Sequence, residues 1–228
     1  MNLLVVARAP VPGRCKTRLC PPCTPHEAAA LATAALADTL EAVAALAGDG
    51  VRPVLALDGA PGPWLPPGFR VLAQRGRSLD ERLANAWDDM GGPGLQIGMD
   101  TPQVTPALLR GALAALAHPA ADAALGLAAD GGWWALGLRR PDWRALIGVP
   151  MSTPVTGAAQ LRRLRYLGLA VATLPTLRDV DVMADAVAVA ADIPDSRFAR
   201  TLSSGFASRN GRQGDHSAGQ NRWGAMAR

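Results

Sequence analysis

Seven short apolar segments divide the first 175 residues of this chain and constrain its fold more than any other feature. Each segment is four to six residues long and rich in valine, leucine, isoleucine or alanine. Such segments are typical of strands that are buried on both faces of a sheet. The segments predicted as strands are Leu3–Val6, Val54–Asp58, Arg70–Gln74, Leu95–Asp100, Ala123–Ala128, Trp133–Leu138 and Leu169–Leu174.

Helical segments lie between these strands. The longest runs from Pro25 to about Ala47, and Thr24 and Glu27 have the spacing of a capping box at its start. Strands that alternate with helices indicate a single α/β domain with a mostly parallel central sheet flanked by helices. In such sheets, ligands bind at the carboxyl ends of the strands. The other predicted helices are Leu79–Met90, Pro106–Ala117, Val155–Leu167 and Val182–Ala191.

The composition predicts a globular protein without a membrane anchor. Hydrophobic residues make up 49% of the chain and charged residues 18%, which is the balance of a soluble domain. No uninterrupted apolar run reaches the roughly 18 residues that span a bilayer. No basic segment precedes the first apolar run, as it would in a signal peptide. We therefore expect a cytoplasmic protein with no membrane span.

The net charge of +4 is concentrated near the C-terminus. Residues 196–228 contain six arginines and one aspartate, which gives them a charge of +5 and leaves residues 1–195 near −1. This last segment lacks apolar periodicity, so we predict a folded domain over residues 1–195 and a basic, disordered tail over residues 196–228. Because the predicted domain is nearly neutral, we do not expect nucleic acid as a partner.

Lys16 is the only lysine of the chain, beside 22 arginines. It lies in the loop Arg8–Arg18, which follows the first strand and combines proline and glycine with four cationic side chains and the hydroxyl of Thr17. The compact ammonium of lysine suits a point contact with a phosphate oxygen, so this loop is a candidate for holding nucleotide phosphates. It is not a Walker A motif, because two residues separate Gly13 from Lys16. An ordinary basic surface loop is the alternative.

Three aspartates stand where carboxylates can act on a metal or a substrate. Asp100 lies at a strand end and can bind a divalent cation that also contacts phosphates, or it caps the next helix. Asp130 precedes two glycines and is the first candidate for a general base, or it only closes a tight turn. Asp181 is a candidate second metal ligand, or the N-cap of the last helix.

Six short stretches carry motifs that are weak singly and specific in combination. They are Ala9–Leu19, Gln74–Gly76 with Leu79 and Arg82, Gly98–Pro102, Asp130–Trp133, Ser152–Thr153 and Asp179–Asp181. In this order they resemble the bacterial GT-A-like glycosyltransferases long filed as a domain of unknown function, which include an arsenosugar-biosynthesis type. That family belongs to the nucleotide-diphospho-sugar transferase superfamily and is related to 2-phospholactate guanylyltransferase and to the molybdenum-cofactor nucleotidyltransferases. The resemblance covers residues 1 to about 192.

The resemblance implies a nucleotide-diphospho-sugar transferase fold and a role for each matched residue. Asp100 would bind Mg²⁺ or Mn²⁺ with Asp181 as a second ligand, and Asp130 and Lys16 would act in catalysis. The residues implied in nucleotide binding are Ala7, Arg8, Pro12, Gly13, Lys16, Thr17, Arg18, Gln74 and Arg82. The residues implied in contacts with the sugar or acceptor are Gly131, Gly132, Trp133, Ser152 and Thr153.

Three hypotheses for the function follow. The first is metal-dependent transfer of a sugar from a nucleotide-diphosphate donor to a small acceptor. The second is nucleotidyl transfer from a nucleoside triphosphate to a phosphorylated small molecule, with release of pyrophosphate. The third is a nucleotide-binding or partner-binding remnant without activity. The chain departs from the family at Met151, where tryptophan is usual, and at Gln160, where threonine is common, and both departures bear on the acceptor side.

Overall fold

All seven predicted strands are present in the computed structural model, which describes residues 1–205. They are β1 Asn2–Arg8, β2 Arg52–Asp58, β3 Arg70–Ala73, β4 Gly94–Gly98, β5 Ala123–Ala128, β6 Trp133–Leu138 and β7 Val171–Leu177. They form one sheet in the order β3-β2-β1-β4-β6-β5-β7. The prediction of an α/β domain with a mostly parallel central sheet is therefore confirmed.

The direction of the strands brings six carboxyl ends to one edge of the sheet. The pairs β1–β2, β1–β4, β2–β3 and β5–β7 are parallel. Only β6 runs the other way, antiparallel to both β4 and β5, as its place directly after the Asp130 turn predicts. The first residue of β6, Trp133, consequently lies at the same edge as the carboxyl ends of the other strands.

The helices begin and end close to the predicted residues. Their bounds are α1 Pro25–Ala44, α2 Leu79–Met90, α3 Pro106–Ala117, α4 Thr156–Tyr166 and α5 Met183–Asp192. The capping box of α1 is formed, since Thr24 N donates to Glu27 Oε2 at 2.7 Å and Glu27 N donates to Thr24 Oγ1 at 3.2 Å. Ser78 precedes α2 but does not cap it through its side chain, because its hydroxyl donates to the carboxylate of Asp80.

Alternating residues of the strands pack into two apolar layers. Leu3 and Val5 of β1 face a core that includes residues of α1 and α3. Leu4, on the opposite face of the same strand, joins a core that includes residues of α2 and α4. This alternation follows from the period of two along a strand. The sheet is thus covered on both faces, and its carboxyl edge is left for polar groups.

The folded body extends beyond the predicted boundary at residue 195. Residues 197–205 form a further helix, α6, and Phe198 and Leu202 are buried in a third apolar cluster with residues of α1 and α5. Arg197 pairs with Asp38 and Glu41 of α1. The domain therefore extends past the predicted boundary at residue 195, because Phe198 and Leu202 are buried although they stand among arginines. The disorder predicted for the remaining tail concerns residues outside those that the structure describes.

One segment of the described chain, Pro25–Asp49, has the length and hydropathy of a membrane-crossing helix. Its alanines raise the mean hydropathy, although Asp38 and Glu41 interrupt every apolar run, which is why counting uninterrupted runs missed it. In the fold 61% of its most apolar window is buried, and Leu36, Leu40 and other residues of α1 pack against the sheet.

Candidate functional site

A cleft of about 670 Å³ opens at the carboxyl edge of the sheet. Four aspartates that line it stand at or just beyond the ends of four strands of the same direction. They are Asp58 at the end of β2, Asp100 after β4, Asp130 after β5 and Asp179 after β7. The position of the cleft is the one that open α/β sheets use for ligands.

Most of the residues predicted from the sequence meet in this cleft or in a second cavity of about 320 Å³ beside it. The first is lined by Ala7, Arg8, Arg18, Gln74, Arg82, Asp100, Asp130, Gly132, Trp133, Ser152, Thr153 and Asp181. The second is lined by Arg8, Lys16, Thr17, Arg18, Asp100 and Asp181, together with Arg14 and Cys15 of the same loop. Three predicted residues, Pro12, Gly13 and Gly131, line neither cavity.

Lys16 lies between two carboxylates. Its Nζ atom is 2.7 Å from Asp100 Oδ1 and 3.7 Å from Asp181 Oδ1, and it also donates to the carbonyl oxygen of Val180. The lysine side chain is only 10% exposed, and its backbone adopts a left-handed φ of 46°, which is uncommon for a residue other than glycine. Arg18 adds a second cation, 3.0 Å from Asp181 Oδ2.

A second group of charges lies on the β2 side of the cleft. Asp58 accepts from Arg8 Nε at 3.0 Å and from Arg82 Nη1 at 3.3 Å. Gln74 donates through Nε2 to the carbonyl oxygens of Ala7 at 2.8 Å and Ala56 at 3.0 Å, so its amide ties β1 to β2. Two of the arginines predicted to bind a nucleotide, Arg8 and Arg82, are thus held in place by a carboxylate that the sequence analysis did not identify.

Asp179 is the second carboxylate that sequence reasoning did not assign to the site. Burial and the nearby negative charges of Asp100 and Asp130 raise the pKa of Asp179 to about 7. Its Oδ1 atom is buried and has no hydrogen-bond partner among residues 1–205. Both missed aspartates follow strands of the same direction, so the strand-end rule applied to Asp100 and Asp130 would have found Asp58 and Asp179 as well.

Two further polar groups in the lining of the cleft are buried without a partner in the described part of the chain. They are the hydroxyl oxygen of Thr101 and the indole Nε1 of Trp133. Buried polar groups are nearly always hydrogen-bonded in folded proteins. Their concentration here, with Asp179, is expected of a site whose bound molecule supplies the missing partners.

The far side of the cleft is built by close approach of backbone segments. The φ angle of Gly131 is +92°, and a Cβ atom added there would lie 2.0 Å from the carbonyl oxygen of Pro154. Asp130 Oδ1 accepts from Gly132 N at 2.8 Å, so one of its oxygens closes the turn. Ser152 also adopts a positive φ, 57°. Gly131 is therefore a packing residue, while Asp130, Gly132 and Ser152 line the cleft.

The residues at Lys16 fit a divalent cation. Within residues 1–205 no three carboxylate, histidine or cysteine side chains converge on one metal position. However, Asp100 Oδ1 and Asp181 Oδ1 lie 2.7 and 3.7 Å from the Lys16 ammonium, so both carboxylates face one position, and the orphaned Oδ1 of Asp179 lies in the same cleft. Mg²⁺ typically takes one or two carboxylates and completes its shell with water and phosphate oxygens.

The two residues that depart from the family pattern, Met151 and Gln160, lie at different distances from the cleft. Met151 lines the cleft. Gln160 is fully buried away from it and donates through Nε2 to the carbonyl oxygen of Ala145 at 2.7 Å. Of the two, Met151 alone is placed to contact a molecule bound in the cleft.

Comparison with known families places the chain in a group without an assigned activity. A family described as "uncharacterized protein conserved in bacteria (DUF2064)" matches residues 29–153. The chain belongs to this family. The matched segment contains Arg82, Asp100 and Asp130, but not Lys16 or Asp181. No curated protein matches the chain significantly.

Three solved structures illustrate what the fold is similar to. A candidate nucleotide-diphospho-sugar transferase from Desulfovibrio desulfuricans has 26% identity and a TM-score of 0.78, over 90% of this chain and 95% of that one. CMP:2-keto-3-deoxy-manno-octonic acid synthetase with CTP has 15% identity and a TM-score of 0.52, over 85% and 98%. A 2-C-methyl-D-erythritol 4-phosphate cytidylyltransferase from Thermus thermophilus has 17% identity and a TM-score of 0.51, over 84% and 98%. The fold is therefore that of the nucleotide-diphospho-sugar transferases.

Proposed function

We propose that this protein is a metal-dependent glycosyltransferase that moves a sugar from a nucleotide-diphosphate donor to a small acceptor. The observation that carries the proposal is that the carboxylates of Asp100 and Asp181 face one position. This position lies beside the basic loop, at the carboxyl edge of the sheet. A diphosphate bound there would meet cationic side chains on one side and two carboxylates suited to Mg²⁺ or Mn²⁺ on the other. We further expect the protein to act in the cytoplasm.

The residues of the loop and of β2 would hold the donor. Arg8, Lys16 and Arg18 present their charges to the two cavities, where they would bind the phosphates. Gln74 and Arg82 lie on the β2 side, where the nucleoside would extend. The divalent cation, when bound by Asp100 and Asp181, would supply positive charge against the negative charge that the departing diphosphate develops.

The other side of the cleft would receive the sugar and the acceptor. The buried Nε1 of Trp133 and the hydroxyl of Thr101 are free to bond to hydroxyl groups of a bound molecule. Asp130 is the candidate general base, since one of its oxygens is fixed by Gly132 N and this fixes the plane of the carboxylate. A base at this place would take the proton of the attacking acceptor hydroxyl.

Nucleotidyl transfer is the second candidate function. The second cavity is lined by Arg14 and Thr17 as well as by Lys16, so a third phosphate would also meet a cation and a hydroxyl there. Of the structures with similar folds, one is a cytidylyltransferase by name and another is a synthetase bound to CTP. In this alternative, Lys16 and the arginines would bind the pyrophosphate that leaves.

Calorimetric titration would separate the two functions. The protein, with Mn²⁺ present, would be titrated with a panel of nucleoside diphosphates, nucleoside diphospho-sugars and nucleoside triphosphates. Tight binding of one diphospho-sugar and of its diphosphate supports glycosyl transfer. Preference for a triphosphate instead supports nucleotidyl transfer. If none of the compounds binds, both candidate functions are wrong.

A pair of variants tests the metal site in the same experiment. Asp100→Asn should weaken the Mn²⁺-dependent binding at least about tenfold, because it removes a ligand charge. Asp88→Asn makes the same change in charge on a side chain that is 83% exposed and outside the cleft, and it should bind like the wild type. Equal binding by both variants would remove Asp100 from the site.

A further inference from the structure

The ammonium of Lys16 occupies the position that a divalent cation would take between Asp100 and Asp181. Its Nζ atom lies 2.7 Å from one carboxylate and 3.7 Å from the other. A third oxygen at this position, the carbonyl oxygen of Val180, accepts a hydrogen bond from Lys16 Nζ. Three oxygen atoms suited to a hard cation are thus directed at a cation that belongs to the chain itself.

The lysine and a metal ion cannot share this position. Both would need the same carboxylate oxygens, and two cations at such short distance repel each other. The Lys16 side chain is 10% exposed, whereas those of Asp100 and Asp181 are 41% and 36% exposed. The ammonium therefore lies on the inner side of the pair, where water screens its charge poorly.

A competing anion is available to the lysine on its other side. Lys16 also lines the second cavity, where the cationic side chains of Arg8, Arg14 and Arg18 surround it. Phosphate groups in that cavity would give the ammonium oxygen partners of higher charge than a single carboxylate. The positive φ of Lys16 means that the surrounding loop holds its backbone in a sparsely populated conformation, which a rearranged loop would release.

We propose that Lys16 sets the order of binding at this site. In the free protein the ammonium occupies the position between Asp100 and Asp181, offsets part of their negative charge and keeps divalent cations out. The phosphates of the incoming nucleotide draw the ammonium into the second cavity, and the two carboxylates then accept the metal. The inference rests on the proposed metal and nucleotide site, and it adds that the metal follows the nucleotide or arrives with it.

Binding of Mn²⁺ alone is the first test. The wild-type protein should bind Mn²⁺ weakly, and Lys16→Met should bind it at least tenfold more tightly, measured by calorimetry or by the free Mn²⁺ signal in electron paramagnetic resonance. Arg14→Met is the matched control, since it removes one positive charge from the same loop without a contact to either aspartate. It should change the affinity less than threefold.

The single lysine offers a second test that needs no substitution. Labelling the protein with lysine carrying ¹⁵N at the ζ position gives one ammonium resonance, because Lys16 is the only lysine. Inorganic pyrophosphate, added without metal, should shift this resonance. Mn²⁺ added alone should leave it sharp, and Mn²⁺ added after pyrophosphate should broaden it.

The outcomes distinguish failure of the binding order from failure of the metal site. If wild type, Lys16→Met and Arg14→Met all bind Mn²⁺ equally well, the order is wrong and the metal site stands. If no variant binds Mn²⁺, even with pyrophosphate, both are wrong. If Lys16→Met does not fold, as seen by circular dichroism, the resonance decides: broadening by Mn²⁺ alone, or no response to pyrophosphate, overturns the proposal.

Discussion

The two halves of the cleft hold their shape in different ways. We call the first the ionic half, made of Arg8, Lys16, Arg18, Asp58 and Arg82. Its side chains are fixed by ion pairs of 2.7–3.7 Å. Apart from Lys16, these side chains are 30–69% exposed, so water already competes for their charges.

The second, the close-packed half, is made of Gly131, Gly132, Ser152, Pro154 and Gly157. Here backbone meets backbone. Gly157 N donates to the carbonyl oxygen of Gly131 at 2.8 Å, and a Cβ atom added to Gly157 would lie 2.4 Å from the carbonyl oxygen of Gly132. No side chain flexes to relieve such a contact, because the atoms that collide belong to the main chain.

The contrast indicates that the ionic half binds the ligand and that the close-packed half supports the fold. Exposed ion pairs contribute little to stability and exchange one anion for another easily, so the ionic half can accept phosphates without losing its fold. The close-packed half gives a rigid wall but tolerates no added volume. We therefore expect substitutions in the ionic half to change ligand affinity, and substitutions in the close-packed half to change stability.

Gly131→Ala should have the largest effect. The new Cβ atom would stand 2.0 Å from the carbonyl oxygen of Pro154, at a φ of +92° that alanine rarely adopts. We expect a loss of at least about 3 kcal/mol in the free energy of unfolding, measured by urea titration followed by circular dichroism.

Gly111→Ala is the matched control for this prediction. Gly111 lies in α3, and a Cβ atom there meets nothing within 4 Å. Alanine should stabilise the helix by up to about 1 kcal/mol. If Gly131→Ala were as stable as Gly111→Ala, the close-packed half would be adjustable and the contrast between the two halves would be lost.

Asp179→Asn should have the next largest effect, and one that depends on pH. In the fold the pKa of Asp179 is raised from 3.8 to about 7, chiefly by burial. The folded protein therefore holds this proton more tightly than the unfolded chain. Stability therefore falls progressively as pH rises from about 4 to 7, because folding must take up a proton that the unfolded chain has released. Above that range the fold carries the full cost of a buried charge. Asparagine should raise stability on the order of 1–2 kcal/mol at pH 8, relative to wild type.

Thermal unfolding of the protein without metal at pH 4.5 and pH 8 checks this prediction. The advantage of Asp179→Asn should be present at pH 8 and nearly absent at pH 4.5. Asp88→Asn, on an exposed side chain, should give no comparable gain at either pH. An equal effect of Asp179→Asn at both values would mean that the stabilisation does not come from removing a buried charge.

The sequence predicted the sheet well because the signal for each strand is local. All seven strands and five helices were expected. Residues 197–205 were missed because Phe198 and Leu202 stand among arginines, and only the contact with α1 and α5 shows that they belong to the fold. That contact is long-range, and two apolar residues one turn apart are too few to establish a helical period in the sequence.

The sequence predicted where the candidate site lies in the fold, but it did not predict the contacts between the side chains of the site. The strand-end rule led to Asp100 and Asp130, and it extends to Asp58 and Asp179. The pairing of Lys16 with two aspartates was not foreseen, because it joins residues 84 and 165 positions apart in the chain. The sequence around Gly131 does not show whether this glycine contacts a ligand or, as in the structure, packs behind the cleft against Pro154.

Arg82→Ala should have the smallest effect of the three, and only on binding. Arg82 reaches Asp58 at 3.3 Å across the ionic half, and Arg8 stays beside that carboxylate. We expect the affinity for the bound nucleotide to fall about five- to tenfold, and the free energy of unfolding to change by less than about 1 kcal/mol. Calorimetry with the nucleotide found in the panel, and urea titration, would measure the two quantities.

Arg75→Ala provides the comparison for Arg82→Ala. Arg75 pairs with Asp89 at 2.8 Å and lies outside the cleft, so its loss should leave nucleotide affinity unchanged. If Arg82→Ala unfolded the protein as readily as Gly131→Ala, the ionic half would be structural and its arginines would not be free to bind a phosphate. If both arginine variants bound the nucleotide like wild type, the role of Arg82 would be limited to holding Asp58. Binding of the nucleotide-diphosphate donor would then depend on Arg8, Lys16 and Arg18.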